Sequence, residues 1–311
     1  MHLADALISP SVAATTGAIS LALIALSSKK VKESSRPEII PLMGVMGAFV
    51  FAAQMINFTI PATGSSGHLI GGILLAAILG PWAAFITLCS ILIVQCLFFA
   101  DGGLMALGCN IINMAAFTCL LGYPLIYKPI AGGSLKPVKI TLASVVASIV
   151  ALELGAFAVT LETELSGITS LPFLTFLSFM MPIHLAIGLV EGMVTAALLI
   201  FLAQYRPSAL YEPSKNQATV KKGKLRPIFI GFAVLTLFTA GGLALFASKN
   251  PDGLEWSIAK VAGDVEFGSE VPSTAIMPDY NSDFAGIVGA LIVMVLLWAI
   301  SSLIFSRFKK S

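Results

Sequence analysis

The chain contains three histidines, and one of them directly follows the initiator methionine in the stretch MHLADALISP. The free amine of Met1, the main-chain nitrogen of His2 and the Nδ1 atom of His2 can bind one metal ion, because together they close a five-membered and a six-membered chelate ring. The ion must displace the amide proton, which favours Ni(II) or Cu(II), the ions that suit square-planar nitrogen sites. A fourth nitrogen, such as that of His68, would complete the plane. The alternative is that His2 is an exposed histidine without a ligand role.

His68 belongs to a polar cluster, QMINFTIPATGSSGHLIGG, which covers residues 54–72. The glycines and serines from Gly64 to Gly67 predict an irregular backbone, which a membrane tolerates only where protein or a water-filled cavity surrounds it. We expect His68 in the first turn of the helix that follows. The alternative role of this histidine is structural, with its imidazole bonded to main-chain carbonyls near the membrane interface.

A second polar cluster begins at Gln95 and continues through FFADGGLMALGCNIINM. Asp101 and the two glycines after it predict a turn. Asn110 and Asn113 are three residues apart, so helical spacing places them on one face. Their amides are candidates either for a polar site or for hydrogen bonds that join helices inside the bilayer.

A third cluster, HLAIGLVEG, lies deep in an apolar run and places His184 and Glu191 two helical turns apart, on one side of a helix. Polar groups inside a membrane are costly and are functional candidates. These two side chains form either a buried pair that locks the helix bundle or a direct substrate site. Their spacing differs from the HExxH motif, so a zinc protease is disfavoured.

Membrane helices must position these residues. Of the 311 residues, 57% are hydrophobic and 11% are charged, with a mean hydropathy of +0.95. Soluble proteins carry about 25% charged residues, so the chain is an integral membrane protein. The net charge of +2 gives no case for a nucleic-acid partner. The cysteines lie within apolar runs, which favours small buried residues over a disulfide framework or a thiolate metal site; they are Cys89, Cys96, Cys109 and Cys119.

The apolar runs predict an all-α membrane protein with about nine transmembrane helices. The predicted spans are 9–28, 38–60, 67–80, 81–100, 104–127, 138–160, 173–204, 227–248 and 284–306. The third reaches only about 21 Å, less than the hydrocarbon core, and a Gly-Pro turn separates it from the fourth. We therefore expect the third and fourth spans to form a reentrant-like pair.

Lysines and arginines indicate the orientation, because they favour the cytoplasmic side. With the N-terminus outside, every Lys and Arg except Lys249 and Lys260 lies in an inside segment; these segments are 29–37, 128–139, 205–226 and 307–311. We therefore expect the N-terminus outside and the C-terminus in the cytoplasm.

The same pattern divides the chain into three parts. Residues 1–204 form a seven-helix body, residues 205–226 a basic cytoplasmic linker, and residues 227–311 a two-helix hairpin. The hairpin encloses an acidic outside loop, residues 249–283. This loop either helps to load or release an ion or is simply solvated.

Several stretches have a specific combination of residues: MHLADALISP, FAAQMINFTIPATGSSGHLIGG, LGPWAAF, QCLFFADGGLMALGCNIINM and HLAIGLVEG. In these stretches, which are distributed along residues 1–204, the chain resembles the CbiM/NikM substrate-capture (S) components of energy-coupling-factor (ECF) nickel and cobalt transporters. PDGLEW, residues 251–256, resembles the PDGLE domain of the small NikN-type accessory subunit. The chain thus looks like a fusion of the two.

This resemblance implies that the ligands are the Met1 amine, the His2 amide and imidazole, and the His68 imidazole, with the N-terminal segment folded inward. It also implies groups that position these ligands or gate the site: Gln54, Asn57, Ser66, Gln95, Asp101, Asn110 and Asn113. Two departures concern the local backbone. Ala6 stands where the family commonly has glycine, and ATGS precedes the SGH motif in place of GGT.

The resemblance further implies partners, namely a transmembrane coupling (T) subunit and two ABC-type ATPases, in the inner membrane of a prokaryotic cell. The sequence contains no GxxxxGK[ST] motif, so ATP hydrolysis would belong to other chains. The expected function is capture of Ni(II), favoured over Co(II), as transported ligand and not as cofactor, with no catalytic residue. The alternative is a proton-coupled secondary transporter that uses His184 and Glu191, although the inverted repeats typical of that class are not found.

Overall fold

The computed structural model describes residues 1–34, 39–211, 226–263, 275–277 and 284–306. The helices are α1 Pro10–Glu33, α2 Ile39–Gln54, α3 Gly72–Leu79, α4 Pro81–Phe99, α5 Leu107–Asn110, α6 Lys128–Ala131, α7 Pro137–Ser166, α8 Phe173–Tyr205, α9 Arg226–Gly241, α10 Gly253–Ala262 and α11 Ala285–Ser306. A π-helical segment, Ile111–Tyr127, joins α5 to α6. Short 3-10 turns occur at Asp5–Leu7, Pro207–Ala209 and Leu243–Phe246.

Seven helices of the described chain are long and apolar enough to cross a membrane. They are α1, α4, Leu107–Ala131, α7, α8, Pro227–Phe246 and Ala285–Ile304. The apolar helix α2 is shorter, with 16 residues, and α3 has only 8. The predicted all-α membrane fold is therefore confirmed, and a total of about nine spans remains plausible when α2 and α3 are included.

The boundaries of the second and third predicted spans were wrong. The second was expected to run to residue 60 and the third to begin at residue 67, but α2 ends at Gln54 and α3 begins at Gly72. Gly71 has a φ of 77°, a left-handed conformation that glycine adopts without strain. Because this conformation is not helical, α3 cannot extend toward the N-terminus past Gly71. The residues between the two helices are therefore free to take another structure.

Part of that intervening segment is a small β-hairpin that periodicity did not reveal. Strand β1, Phe58–Ile60, pairs antiparallel with β2, Ser65–Gly67. The turn between them contains Ala62 and Gly64, both with positive φ. The irregular backbone expected at Gly64–Gly67 is thus present as a turn and a strand.

The body is held together by close packing of α7 against α8. Gly188 and Gly192 of α8 lie so near the main chain of α7, at Ile149 and Val145, that a Cβ at either glycine would collide with it. Small residues at a helix crossing allow this approach in membranes. The polar residues of α8 are consequently held firmly against the rest of the body.

The C-terminal helices pack on two different faces of the body. Helices α9 and α11 lie against α2, whereas the short helix α10 lies against α8. Much of the predicted basic linker, residues 212–225, and the loop residues 264–274 and 278–283 lie outside the described residues. The beginning of the acidic loop is described, and it carries α10.

The two ends of the bundle differ in chemistry. At one end, here called the site end, Met1, His68 and Asp252 come together. At the opposite end, here called the basic end, Lys30 and Tyr211 lie beside the Gly80 turn between α3 and α4. The nitrogen of Tyr211 donates a hydrogen bond to the carbonyl of Ala77, 2.9 Å away, which fixes the chain leaving α8 at the basic end.

Candidate metal site

The amine of Met1 is buried at the site end. Met1 is only 4% exposed, and its ammonium donates a hydrogen bond to Oδ2 of Asp252 over 2.6 Å. The same nitrogen lies 3.4 Å from Nε2 of His68. The terminal amine is thus enclosed beside a histidine and a carboxylate, two kinds of group that bind metal ions.

The ring of His2 stacks on the ring of His68. Their centroids are 5.1 Å apart and the planes differ by 18°. The Nδ1 atom of His2 lies 3.0 Å from a carboxylate oxygen of Asp101, and its Nε2 lies 3.3 Å from Oε1 of Gln95. The predicted ligand atom Nδ1 is therefore held by Asp101 in this conformation, as the Met1 amine is held by Asp252.

His68 does not lie in the first turn of a helix, contrary to the expectation. It follows β2 in a non-helical segment that ends where α3 begins. Its Nδ1 lies 3.2 Å from the carbonyl oxygen of Leu69, so Nδ1 carries the hydrogen and Nε2 presents a lone pair toward the Met1 amine. Burial, reinforced by the positive N-terminus, lowers the pKa of His68 to about 3. The ring is therefore neutral at physiological pH, the form that binds metals.

Glu191 fixes the main chain just after His68. Its carboxylate accepts hydrogen bonds from the nitrogens of Ile70, at 2.7 Å, and Gly71, at 3.1 Å. The side-chain amide of Gln54 donates to the carbonyl of Ile70 at 2.8 Å. These contacts provide hydrogen-bond partners for buried main-chain groups that are not part of a helix. They also fix the main chain from which the His68 imidazole projects.

Gln95 connects this support to the N-terminus. Its amide donates to Oε1 of Gln54 at 2.9 Å, while its own oxygen lies beside the His2 ring. Gln54 and Gln95 thus link the His2 ring to the main chain at Ile70, two residues after His68. Such supporting groups orient metal ligands in many proteins.

The N-terminal segment is folded inward and tied at two points. Asn110 accepts from the nitrogen of Leu3 at 2.7 Å and donates to the Leu3 carbonyl at 3.1 Å. The carboxylate of Asp5 accepts from the nitrogens of Leu104 and Ala106. Gly103 lies against Asp5, where any Cβ would collide with the carboxylate. Asp5 therefore holds the loop after Asp101 and does not simply face water.

Asn113 does not join Asn110 at the site. It donates to Glu162 of α7 at 2.6 Å, which makes it a contact between helices. The prediction that the two asparagines share a face assumed α-helical spacing. The π-helical segment begins at Ile111, and its wider turn removes that relation.

The remaining predicted residues have distinct positions. The main-chain carbonyl of Asn57 accepts from the nitrogen of Ser248 at 2.7 Å, and the hydroxyl of Ser66 donates to the carbonyl of Asn250 at 2.8 Å. Both residues hold the start of the C-terminal loop. They therefore contact the loop that covers the site, and among the described residues their side chains form no hydrogen bond with the proposed ligands.

His184 and Glu191 take separate partners. Nδ1 of His184 lies 2.8 Å from the carbonyl of Met180, whereas Glu191 bonds the main chain after His68. Nε2 of His184 is buried without a hydrogen-bond partner among the described residues. This arrangement gives no observation in favour of a proton relay between the two side chains.

Asp252 is the site residue that the sequence analysis did not single out. It caps the N-terminus of α10 through Leu254 and Glu255, and the Glu255 side chain accepts from the Asp252 nitrogen in return. Burial opposes ionisation of Asp252, but the positive Met1 amine outweighs burial and holds the pKa of Asp252 below its usual value. The signal in the sequence was the Asp-x-x-Glu capping box inside PDGLE.

The PDGLE segment covers the hairpin that leads to His68. The nitrogen of Ser66 donates to the carbonyl of Pro251 at 2.8 Å, and the indole of Trp256 donates to the carbonyl of Thr63 at 3.0 Å. Thr59 and Ser248 add a hydrogen bond between their hydroxyls. The loop therefore lies directly over the candidate ligands.

A small cavity of about 10 Å³ lies beneath this cover. That volume is about what one water molecule requires. Its polar lining comes from Met1, His68, His184 and Asp252, and its apolar lining includes Ile70, Leu152 and Ile187.

Side chains alone do not form a metal site in the described residues, because no group of three or more His, Cys, Asp or Glu lies close enough to hold an ion. All four cysteine thiols are free, and Cys96 is the one that is partly exposed. An ion held here by three or more protein groups would therefore also use main-chain nitrogen or the terminal amine, which are the donors that the N-terminal chelate supplies.

Comparison with known proteins identifies the family. CbiM, described as the cobalt uptake substrate-specific transmembrane region, matches residues 2–209, and the PDGLE domain matches residues 226–306. A protein of Archaeoglobus fulgidus whose name describes a fused nickel transport protein, NikMN, is 30% identical over 97% of this chain and 98% of its own length. Cobalt transport protein CbiM of Sorangium cellulosum is 28% identical over 68% of this chain and 94% of its own.

A solved structure agrees with these matches. The crystal structure of a transition metal transporter is 33% identical, has a TM-score of 0.58 and covers 66% of this chain and 93% of its own. The resemblance to a CbiM/NikM component fused to a NikN-like PDGLE domain is confirmed, and the relatives are transport proteins, not enzymes. The chain belongs to the CbiM family of cobalt uptake substrate-specific transmembrane regions, with a PDGLE domain at its C-terminal end.

Proposed function

We propose that this chain is the substrate-capture component of an ATP-driven energy-coupling-factor importer for a divalent transition metal. The observation that carries the proposal is the buried Met1 amine, 3.4 Å from Nε2 of His68 and beside the stacked ring of His2. An amine, an amide and two imidazoles converge there in a chain of a metal-uptake family.

The proposed ligands are the Met1 amine, the His2 amide nitrogen, Nδ1 of His2 and Nε2 of His68. Binding requires the amine to leave Asp252 and lose a proton, and Nδ1 of His2 to leave Asp101. The imidazole of His2 must also turn out of its stack on His68 to reach a common plane. The two carboxylates then remain beside the ion and compensate its charge.

Ni(II) is the favoured ion. Four nitrogen donors, one of them a deprotonated amide, suit a square plane, and the 3d ion that adopts this geometry readily besides Cu(II) is Ni(II). Names of relatives that share the fused organisation describe nickel transport, whereas the family description and other relatives name cobalt. Co(II) is thus the competing substrate.

Energy for transport would come from separate chains. A transmembrane coupling subunit and two ABC-type ATPases complete such an importer, and the full sequence contains no P-loop motif that could bind ATP in this chain. The chain would act by capturing the ion and releasing it when the coupling subunit changes conformation.

The proposed location is the inner membrane of a prokaryotic cell, with the site end outside. The basic end carries Lys30 and Lys128, and the site end carries Asp101 and Asp252. This distribution agrees with the positive-inside rule. A thiol probe at position 260 that reacts only from the cytoplasm would contradict this orientation.

The decisive experiment adds one residue before Met1. We expect the purified wild-type protein to bind Ni(II) with the d–d absorption of a planar four-nitrogen complex, and the extended protein to lose tight binding. The amine would be displaced from its buried position, where Met1 is 4% exposed.

The matched control inserts the same residue after Gly167, an exposed turn position at the end of α7 with open space around it. This variant should bind as the wild type does. Equal Ni(II) affinity of the N-terminally extended protein would show that the terminal chelate is not the site.

A further inference from the structure

We infer that His184 is a further metal ligand, one that takes the incoming ion transiently and passes it to the ligands around Met1. The inference rests on the proposed function and adds a residue that the N-terminal chelate does not use. It starts from a buried nitrogen that has no structural role in the fold.

That nitrogen is Nε2 of His184. The residue is 1% exposed, and Nε2 lacks a hydrogen-bond partner among the described residues. A buried polar atom without a partner destabilises a protein, because it loses its bonds to water and gains nothing in return. Where a native protein keeps such an atom, a bound water, an ion or a functional role is the usual explanation.

The tautomer of His184 prepares Nε2 for a metal. Nδ1 lies 2.8 Å from the carbonyl oxygen of Met180, which can only accept, so Nδ1 carries the hydrogen. In the neutral ring Nε2 then carries the lone pair. A second nitrogen anchored to a main-chain carbonyl is the usual arrangement of a metal-binding histidine.

His184 faces the cavity that contains the candidate ligands. Met1, His68 and Asp252 line the same cavity, whose volume of about 10 Å³ fits one small ion or one water molecule. The rest of the lining is largely apolar, so an ion there would bind these few groups and not a shell of water.

The contacts along α8 place His184 beside the segment that covers the cavity. His184 lies beside Gly253 of the PDGLE segment, whose Cβ, if present, would be 3.2 Å from the imidazole. One turn further, Ile187 lies against Gly67, and another turn further Glu191 bonds the main chain after β2. His184 therefore lies between the covering segment and the residues that hold the ion.

Asp252 marks the solvent side of this route. Its side chain is 19% exposed, whereas that of Met1 is 3% exposed. A cation from solvent would meet Asp252 first, whose carboxylate lies 2.6 Å from the Met1 amine. Nε2 of His184, in the same cavity, would then hold the ion while the amine leaves Asp252 and loses its proton. As the ion enters the planar site, the protons of the Met1 amine and the His2 amide leave to solvent.

The test measures rates and equilibrium separately, with Ni(II) and purified full-length protein. His184→Asn keeps an amide nitrogen near the position of Nδ1, which can still donate to Met180, and removes Nε2. A transient ligand lowers the barrier in both directions, so we expect binding and chelator-driven release each to slow by about ten-fold or more, with Kd within about two-fold of wild type. Ile187→Val, which alters the same cavity without removing a ligand atom, should leave both rates unchanged.

Each other outcome overturns the inference. Wild-type rates in His184→Asn would mean that the ion does not pass His184. A large change in Kd or in the planar absorption spectrum would mean that His184 is a permanent ligand or a structural residue. If His184→Asn does not fold, His184→Leu, which has no atom that can bind a metal, is measured in the same way, with the same expectation. Failure of the wild-type protein itself to bind Ni(II) would instead reject the proposed function.

Discussion

The CbiM-like body and the PDGLE domain approach the candidate site in different ways. The body supplies buried nitrogen donors that are held by buried amides and a carboxylate, such as Gln95 and Glu191. The PDGLE domain supplies main-chain acceptors and one partly exposed carboxylate, Asp252. We therefore expect the body to determine which ion is bound and the PDGLE domain to control access to the site. The following variants test that division.

The largest effect is expected in the body, at a proposed ligand. His68→Ala removes one of four nitrogen donors, and we expect Ni(II) affinity to fall by more than the roughly 100-fold that can follow loss of a supporting residue. Titration of the purified protein measures it. The control is Ser66→Ala, two residues before His68, which removes the hydroxyl that donates to the Asn250 carbonyl. This variant should change affinity far less. Unchanged affinity in His68→Ala would show that His68 is not a ligand.

The next effect is expected where the body positions that ligand. In Glu191→Gln only one of the two main-chain donors, at Ile70 and Gly71, can bond the remaining carbonyl oxygen. We expect Ni(II) affinity to fall by about 10-fold to 100-fold, because ligands whose support is lost adopt the wrong orientation. Glu164→Gln, at an exposed position of α7, is the matched control. A proton-coupled mechanism would instead leave binding intact and remove only uptake.

A smaller effect is expected in the PDGLE domain. Asp252→Asn retains a good N-cap for α10 but loses the ion pair with the Met1 amine, so we expect the metal-free protein to lose about 1 kcal/mol of stability. Asp252→Ala should lose about 1 kcal/mol more because the cap is also removed. Thermal unfolding in detergent compares the variants. Both variants should keep the Ni(II) absorption spectrum of a planar four-nitrogen complex. An altered spectrum would indicate that Asp252 is a ligand, and the PDGLE domain would then supply part of the metal site.

The smallest effect is expected at the edge of the PDGLE segment, where it covers the β-hairpin. Trp256→Phe keeps an aromatic ring against Phe179 but removes the hydrogen bond to the Thr63 carbonyl. We expect a loss of about 0.5–1 kcal/mol, the net value of one hydrogen bond. Trp298→Phe, at a position 65% exposed on α11, controls for the substitution itself and should be nearly neutral. A large loss of metal affinity in Trp256→Phe would show that the cover also shapes the ligand site.

Local patterns were sufficient for the membrane fold and for the first candidate ligands. Long apolar runs must form helices in a bilayer, so length and composition alone predict most spans. The chelate is equally local, because Met1 and His2 are adjacent and their donors are joined by covalent bonds. His68 required only the additional expectation that it lies on the same side of the membrane.

Local patterns failed where the backbone departed from regular geometry. The β-hairpin at residues 58–67 has strands of three residues, too short for any alternation to be recognised. The π-helical segment changed the spacing on which the pairing of Asn110 with Asn113 depended. His184 and Glu191 share a side of α8, but His184 bonds the carbonyl of Met180 in its own helix, whereas Glu191 bonds the segment packed against α8.

The sequence by itself predicted the membrane helices, which follow from hydrophobicity, and a candidate metal chelate at the N-terminus, whose donors are neighbours in the chain. Only the tertiary structure decided that Asp252, 251 positions away, reaches the Met1 amine, and that Nε2 of His184 is left without a partner in the same cavity. Contacts between distant segments depend on how the helices pack, and packing leaves no periodic signal in one sequence. The physical reason is that folding creates these relations: only when the PDGLE domain packs on the body does the Asp252 carboxylate meet the buried Met1 amine.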